Sequence, residues 1–165
     1  MDEKKRSRLY FIGKKDHLIQ AKRMTVTLDG REILIIYHQR TFHAMDLQCY
    51  HAGSSLETGD IEEINNKHCI VCPKHKYRIS LADGEGLYRA KNPLEENPTP
   101  RWYSKGIKQR VHKVMEVDED IFVTLSNCPG WIESDYYQTE TGRAELRNKE
   151  ESEDGVADVN ADEDF

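Results

Sequence analysis

Two short motifs that combine cysteine with histidine constrain this chain of 165 residues more than any other feature. Cys49 and His51 stand two positions apart before an Ala-Gly-Ser turn, and Cys72 and His75 stand three positions apart. Twenty residues separate His51 from Cys72, and each pair follows a β-type run. One pair alone is weak evidence because cysteine is often simply buried. Two pairs, each at a turn after a strand-like run, predict a metal site.

The ligand set of two cysteines and two histidines suits either zinc or an iron–sulfur centre. Structural zinc sites usually take their thiolates from a Cys-x₂₋₄-Cys knuckle and their histidines from a His-x₃₋₅-His pair. One cysteine and one histidine in each loop instead suit a [2Fe–2S] cluster in which one iron binds both thiolates and the other iron binds both imidazoles. A zinc site remains an alternative, because Cys69 and Cys72 also spell a knuckle that Cys49, His51 or His75 could complete. In the cluster interpretation Cys69 only fills a strand position.

The residues around these motifs have the patterning of strands and turns. Arg23–Leu28 alternates apolar and polar residues, and Asp29-Gly30 then supplies a tight turn before the β-branched run Glu32–Tyr37. A second predicted hairpin joins Gln109–Val117 to Ile121–Leu125. Shorter strand-like runs lie at 9–12, 41–47, 61–64, 68–71 and 77–81. Many short strands with turn signals between them predict an all-β sandwich or a partly open barrel.

The two motifs and their β context resemble the cluster-binding loops of Rieske domains, and most closely those of soluble Rieske-type ferredoxins. The resemblance covers residues 9–126. It implies a Rieske-type antiparallel β-sandwich with a small cluster-binding subdomain inserted at about 46–82. It also implies that the loop 97–100 covers the cluster. The ligands implied for one Rieske [2Fe–2S] cluster are Cys49, His51, Cys72 and His75.

Several positions depart from the pattern of high-potential Rieske proteins in respiratory complexes. Ser54 and Lys74 stand where that group carries a disulfide between the two loops. Ile79 replaces one of the hydroxyl residues that donate hydrogen bonds to cluster sulfur. Fewer such bonds leave the reduced cluster less stabilised, so we expect a low-potential centre. Lys76 replaces a glycine that commonly follows the second histidine, which predicts an outward side chain or an unusual backbone angle.

The charge is unevenly distributed along the chain. Residues 133–165 hold twelve acids and three bases, and few large apolar residues follow Tyr137, which predicts a disordered acidic tail. No run approaches the roughly 20 apolar residues of a membrane helix, and the N-terminus lacks a signal-peptide core. We therefore expect a cytoplasmic protein that binds neither membrane nor nucleic acid.

These features predict a soluble one-electron carrier that passes electrons between a reductase and an acceptor. The basic residues Lys74, Lys76 and Arg78 form a candidate docking patch for an acidic redox protein. Oxygenases of the wider family that these motifs resemble carry a further large domain, and only the acidic segment follows residue 126, so we expect no substrate chemistry by this chain alone. We also expect a monomer. The alternative function is a zinc-stabilised or cluster-free interaction module.

Overall fold

Two antiparallel β-sheets carry the fold, and the computed structural model describes residues 8–153 of the chain. The prediction of an all-β antiparallel architecture is confirmed. Within the described range, no helix has the length and apolar content needed to cross a membrane. In chain order the elements are β1 Tyr10–Lys14, α1 Lys15–Ala21, β2 Arg23–Leu28, β3 Arg31–His38, β4 Thr41–Asp46, β5 Ile61–Ile64, β6 Lys67–Val71, β7 Arg78–Ser80, β8 Glu85–Ala90, β9 Arg101–Ile107, β10 Val111–Val117, β11 Asp120–Thr124, a 3₁₀-helix Glu133–Gln138 and α2 Glu140–Glu153.

The larger sheet has six strands in the order β1-β11-β10-β4-β3-β2. Both hairpins predicted from the sequence are present as paired strands, β2 with β3 and β10 with β11. Asp29 and Gly30 have φ angles of 53° and 79°, as a type I′ turn requires. Asp118 and Glu119 take similar positive φ angles, 53° and 73°, without a glycine.

Strand β3 is buried on both faces and separates two hydrophobic cores. Leu34 and Ile36 point into a core that also contains both motif cysteines, Cys49 and Cys72. Ile33 and Ile35 point the other way, into a core with Val123 and Ala44. Because successive side chains of a strand alternate between its faces, this one apolar run serves both cores. The first core is the one that positions the candidate site.

The smaller sheet has five strands in the order β5-β6-β7-β8-β9 and lies in the chain between β4 and β10. Its last two strands, which reach Ile107, extend beyond the subdomain of about 46–82 expected from the sequence. Strand β9 has no strand pattern in its sequence because every residue in it except Trp102 is exposed. A strand without a buried face shows no apolar alternation, and only pairing with β8 defines it.

The C-terminal segment corrects the sequence prediction. Residues 133–165 were expected to be disordered, but the structure places a 3₁₀-helix at Glu133–Gln138 and α2 at Glu140–Glu153. Ser134 and Tyr137 are buried against the body of the protein, and Asp135 forms ion pairs with two arginines. These contacts offset the ordering entropy that the acidic composition alone could not. The rest of the predicted tail, 154–165, lies outside the described residues.

A buried carboxylate, that of Asp46, anchors this segment to the larger sheet. Arg31 donates two hydrogen bonds to it, each 2.7 Å long, and His112 donates a third from Nε2 at 2.9 Å. The Ser134 hydroxyl donates a fourth at 2.6 Å. Burial alone would raise the pKa of Asp46, but the hydrogen bonds from Arg31 and His112 outweigh it and lower that pKa. Asp46 is therefore a charged group with all its partners supplied by the protein.

A second carboxylate, that of Asp135, extends the network into the C-terminal segment. Arg110 donates to both of its oxygens at 2.8 Å, and Arg31 donates to one of them at 2.5 Å. Arg110 also donates to the carbonyls of Cys128 and Gly130, which fixes the chain that leads to the 3₁₀-helix. Burial raises the pKa of Asp135, but the hydrogen bonds from Arg110, the Ile132 amide and Arg31 lower it more.

Replacing Asp135 with alanine should destabilise the whole protein. The change leaves the nearly buried guanidinium of Arg110 without its carboxylate, and removing one partner of a buried ion pair costs about 3 kcal/mol. Chemical denaturation followed by circular dichroism measures the loss in the free energy of unfolding. The matched control is Asp120→Ala, which removes a carboxylate paired at the surface with Lys14. Equal losses in the two variants would contradict an anchoring role for Asp135.

Candidate metal centre

The loop after β4 that contains the first motif is closed by its own backbone. The Cys49 amide donates to the Ser54 carbonyl at 2.8 Å, and the Gly53 amide donates to the Cys49 carbonyl at 2.8 Å. Gly53 has a φ angle of 81°, in the left-handed region that favours glycine. The cysteine is thereby held at the base of a tight turn with His51 near its tip.

The loop after β6 repeats this geometry at the same offsets. The Cys72 amide donates to the Tyr77 carbonyl at 2.8 Å, and the Lys76 amide donates to the Cys72 carbonyl at 2.9 Å. Lys76 occupies the place of Gly53 and has a φ angle of 62°. The unusual backbone angle predicted for Lys76 is confirmed, and the side chain is exposed. Two loops from different parts of the chain therefore present a cysteine and a histidine in the same way.

The two cysteines meet in the core between the sheets. Both are 0% exposed, and their side chains are hydrogen bonded to each other. Sharing one proton lowers the pKa of the Cys72 thiol to about 6 and, together with burial, raises the pKa of Cys49. The pair therefore releases its first proton easily and its second with difficulty. A cation bound between the sulfurs would remove that difficulty, since thiolates are the form that binds metals.

The two histidines meet at the outer end of the same loops. The ring centroids of His51 and His75 are 5.0 Å apart, and the rings are steeply inclined at 76°. Nδ1 of His75 is buried without a hydrogen-bond partner, although an unsatisfied ring nitrogen is costly. Burial, together with the charges of His75, Lys105 and Lys149, lowers the pKa of His51 and favours its neutral form. Neutral imidazole is the form that ligates metals.

An aromatic ring packs against His51, a contact that the sequence did not predict. The ring of Tyr77 stacks on His51 at 3.9 Å with an angle of 16°. Tyr50 meets Tyr77 edge to face at 5.7 Å, and the ammonium of Lys105 lies 4.2 Å from the centre of the Tyr77 ring. Tyr50 and Tyr77 each adjoin a motif in sequence, but Lys105 comes from β9 and carries no local signal.

Gln109 holds the first loop from inside the protein and was also missed as a site residue. Its side-chain oxygen accepts a hydrogen bond from the Tyr50 amide at 2.9 Å. Its side-chain nitrogen donates to the carbonyls of Asp46 at 3.0 Å and Gln48 at 2.7 Å. A fully buried amide with every bond directed at one loop fixes the position of that loop. The sequence placed Gln109 only at the start of a strand.

The C-terminal segment covers the turn of the first loop. A Cβ atom on Gly53 would lie 2.5 Å from Leu146 of α2 and 2.8 Å from the buried ring of Tyr137. The Lys149 ammonium donates to the Ala52 carbonyl at 2.7 Å. The first loop is thus enclosed by Gln109 on one side and by this segment on another.

The remaining cysteines stand apart from this group. Cys69 lies in a separate hydrophobic cluster with Ile64 and Leu87, and its thiol donates weakly to the Lys67 carbonyl at 3.7 Å. The prediction that Cys69 fills a strand position is confirmed. Cys128 is exposed and has a free thiol. Among residues 8–153, no three or more Cys, His, Asp or Glu side chains are grouped so that they could hold a single metal ion.

Comparison with known proteins identifies a family and two relatives to which this chain is similar. The family model described as soluble Rieske-type ferredoxin matches residues 10–128. A human Rieske domain-containing protein is 49% identical over 128 residues, which cover 78% of this chain and 82% of the human one. The ferredoxin component of the alkene monooxygenase system of Xanthobacter autotrophicus is 31% identical over 67 residues, 41% of this chain and 52% of that protein.

A solved ferredoxin structure has a fold similar to that of this chain. The ferredoxin of carbazole 1,9a-dioxygenase from Nocardioides aromaticivorans superposes with a TM-score of 0.51 at 19% identity. The match covers 71% of this chain and 99% of that ferredoxin. At this level of identity the likeness concerns the fold.

Changing Gly53 to alanine should disturb the first loop more than the same change at Gly30. Both glycines have φ near 80°, but nothing lies within 4 Å of a Cβ atom on Gly30, whereas Tyr137 and Leu146 crowd one on Gly53. We expect Gly30→Ala to cost about 1 kcal/mol and Gly53→Ala about 1–2 kcal/mol more in the free energy of unfolding. Adding Leu146→Ala should recover part of the excess. Equal costs at the two glycines would contradict the packing of α2 on this loop.

Proposed function

The chain belongs to the soluble Rieske-type ferredoxin family, and we propose that it is a one-electron carrier built around one Rieske [2Fe–2S] cluster. Cys49 and Cys72 would hold one iron of this cluster, and His51 and His75 the other. The observation that carries the proposal is the repeated loop geometry, which brings two buried thiols together and two imidazoles together. A cluster bound there supplies one reversible electron at a defined potential.

The donor set fits a two-iron cluster better than a single ion. Each iron of a Rieske cluster takes two protein ligands, and the side chains form one pair of sulfurs and one pair of imidazoles. The orphaned Nδ1 of His75 and the proton shared by the two thiols are the features a bound cluster would relieve. The zinc alternative needs Cys69 in a knuckle, but Cys69 belongs to another hydrophobic cluster.

The difference in exposure between the ligand pairs supports electron transfer through the histidines. The cysteines are completely buried, whereas His51 is exposed and His75 is half-buried. An electron crosses short distances more readily than long ones, so a partner would approach the imidazole end. The cysteine end, embedded between the sheets, excludes water and holds the cluster in place.

Protein redox partners follow from this role. A relative of this chain is named as the ferredoxin component of a monooxygenase system, in which a carrier serves other proteins. We extend that role to this chain, with a reductase on one side and an acceptor on the other, and with no substrate chemistry by the chain alone. A monomeric state and a cytoplasmic location complete the proposal.

The distinction between cluster and zinc knuckle can be tested with two cysteine variants. Cys72→Ala should remove the iron and the reddish-brown colour, whereas Cys69→Ala should retain two irons per chain. The measurements are metal analysis and electron paramagnetic resonance of the reduced protein, which should give a signal at low average g. Colourless wild-type protein with one zinc, or iron that depends on Cys69 and not on Cys72, would overturn the proposal.

The midpoint potential should lie at the low end of the Rieske range, roughly −150 mV rather than +300 mV. The fully buried Ile79 offers no hydrogen bond where high-potential relatives have a hydroxyl, and Ser54 and Lys74 form no disulfide between the loops. The ammonium groups of Lys105 and Lys149 act in the opposite direction, but they are exposed and screened by salt. A spectroelectrochemical titration measures the potential, and a value well above zero would count against this interpretation.

A further inference from the structure

A groove of about 640 Å³ opens beside His75, and the electron-carrier role leaves its chemistry unexplained. It lies on the surface of the smaller sheet, where the second loop meets β7, β8 and β9. We call it the basic groove. Its main lining residues are His75, Lys76, Arg78, Tyr88, Arg89 and Lys105.

Cations outnumber acids in the basic groove. Four of its lining residues are lysine or arginine, and the carboxylate that approaches one of them, Glu62, lies 3.5 Å from Arg78. Elsewhere on the described surface, lysines such as Lys14, Lys67 and Lys108 pair closely with carboxylates. Although residues 1–165 carry a net charge of −6, this groove therefore presents a local positive field.

Aromatic faces hold these cations in place without neutralising them. The guanidinium groups of Arg78 and Arg89 lie 5.3 Å and 5.9 Å from the centre of the Trp102 ring. The ammonium of Lys105 lies over Tyr77, as described above. A cation–π contact restricts a side chain but leaves its full charge available to an anion. The groove is thus preorganised for carboxylates, because less side-chain entropy is lost on binding.

The groove also offers the apolar contact area typical of a protein interface. Tyr88 lines the groove and is 40% exposed, and its ring lies 5.6 Å from the ring of the neighbouring Tyr103, which is 36% exposed. Tyrosine and arginine are enriched among the residues that dominate interface energetics, and here both occur together. A small anion would use the charges but leave these rings uncovered. A protein segment with acidic side chains uses both.

We propose that the basic groove is the docking site for an acidic segment of the redox partner, which it seats against the exposed side of His75. This inference rests on the proposed function, since His75 matters to a partner only if the histidine end transfers the electron. It assigns the partner class by charge, and it adds Arg89 and Lys105 of the smaller sheet to the patch that the sequence alone indicated. Neither residue is near the motifs in sequence.

The test uses the cluster-loaded protein with an acidic plant-type ferredoxin as the probe, at low ionic strength. Two quantities are measured, the dissociation constant by calorimetry and the second-order rate constant of reduction by stopped flow. Arg89→Glu should weaken binding and slow reduction about tenfold, and Arg89→Gln about threefold, because steering depends on charge. High salt should remove most of the difference. The matched control, Arg40→Glu in the exposed turn between β3 and β4, should stay within about twofold of wild type.

The possible outcomes distinguish failure of the docking inference from failure of the carrier role. If wild type holds two irons and accepts electrons, but Arg89→Glu and Arg40→Glu behave alike, the docking inference is wrong while the carrier role stands. If the protein holds no cluster, yet Arg89→Glu still weakens binding of the probe, the carrier role and the redox partner are both wrong, and only a binding site for an acidic protein segment stands. Absence of any binding of the probe to wild type at low salt would overturn the inference.

Two further measurements distinguish other occupants. Oxidation of the reduced protein by ferricyanide measures the response to a small anion. If Arg89→Glu slowed this oxidation as much as it slows the reaction with the protein probe, the groove would act only through its general positive field. A chain ended at Glu153 removes five acidic residues and no basic ones. If that chain reacted about tenfold faster, the groove would be assigned to the acidic C-terminal residues of this protein, and the partner assignment would be overturned.

Discussion

The buried carboxylate of Asp46 is the interaction on which the rest of the site depends. It ends β4 three residues before Cys49, and its partners come from β3, β10 and the 3₁₀-helix. A charge at 0% exposure is tolerated only when its hydrogen bonds are complete, so the carboxylate requires all of these elements to be in place. Through Arg31 it is joined to Asp135, and thereby to the segment that covers the first loop. The start of the first cysteine–histidine loop and the C-terminal segment are held by one network.

The site divides its two tasks between its two ends. The cysteines lie in the core between the sheets, where packing from residues such as Leu56 and Ile70 keeps water away. The histidines lie at the surface, with Tyr77 stacked beneath His51. Because the loops have the same internal hydrogen bonds, each presents its cysteine inward and its histidine outward. This arrangement suits a carrier, which must protect its cluster and still exchange an electron with partners.

Local sequence patterns were sufficient to predict the structure wherever the chain contacts its own sequence neighbours. Both hairpins were predicted from alternation and turn residues. The resemblance to Rieske loops, in which a glycine is common at the place of Lys76, predicted an outward side chain or an unusual backbone angle there, and its φ angle is 62°. The helices of residues 133–153 were missed because Asp135 resembles any solvated acid until Arg31 and Arg110 are brought beside it. Gln109 and Lys105 were missed for the same reason. Their contacts with the site cross more than 25 positions of sequence, and no local pattern records such contacts.

The sequence by itself determined the two cysteine–histidine motifs, their spacing and the β architecture, because these depend on residue identity and on periodicities within short runs. Only the tertiary structure decided which groups surround these cysteines and histidines. Folding brings β9 and the C-terminal segment to the two loops. It thereby assembles the charge network of Asp46 and Asp135, the hydrogen bonds from Gln109 to the first loop, and the basic groove. These properties depend on distances between remote residues and on the exclusion of water. They exist only once the sheets are packed together.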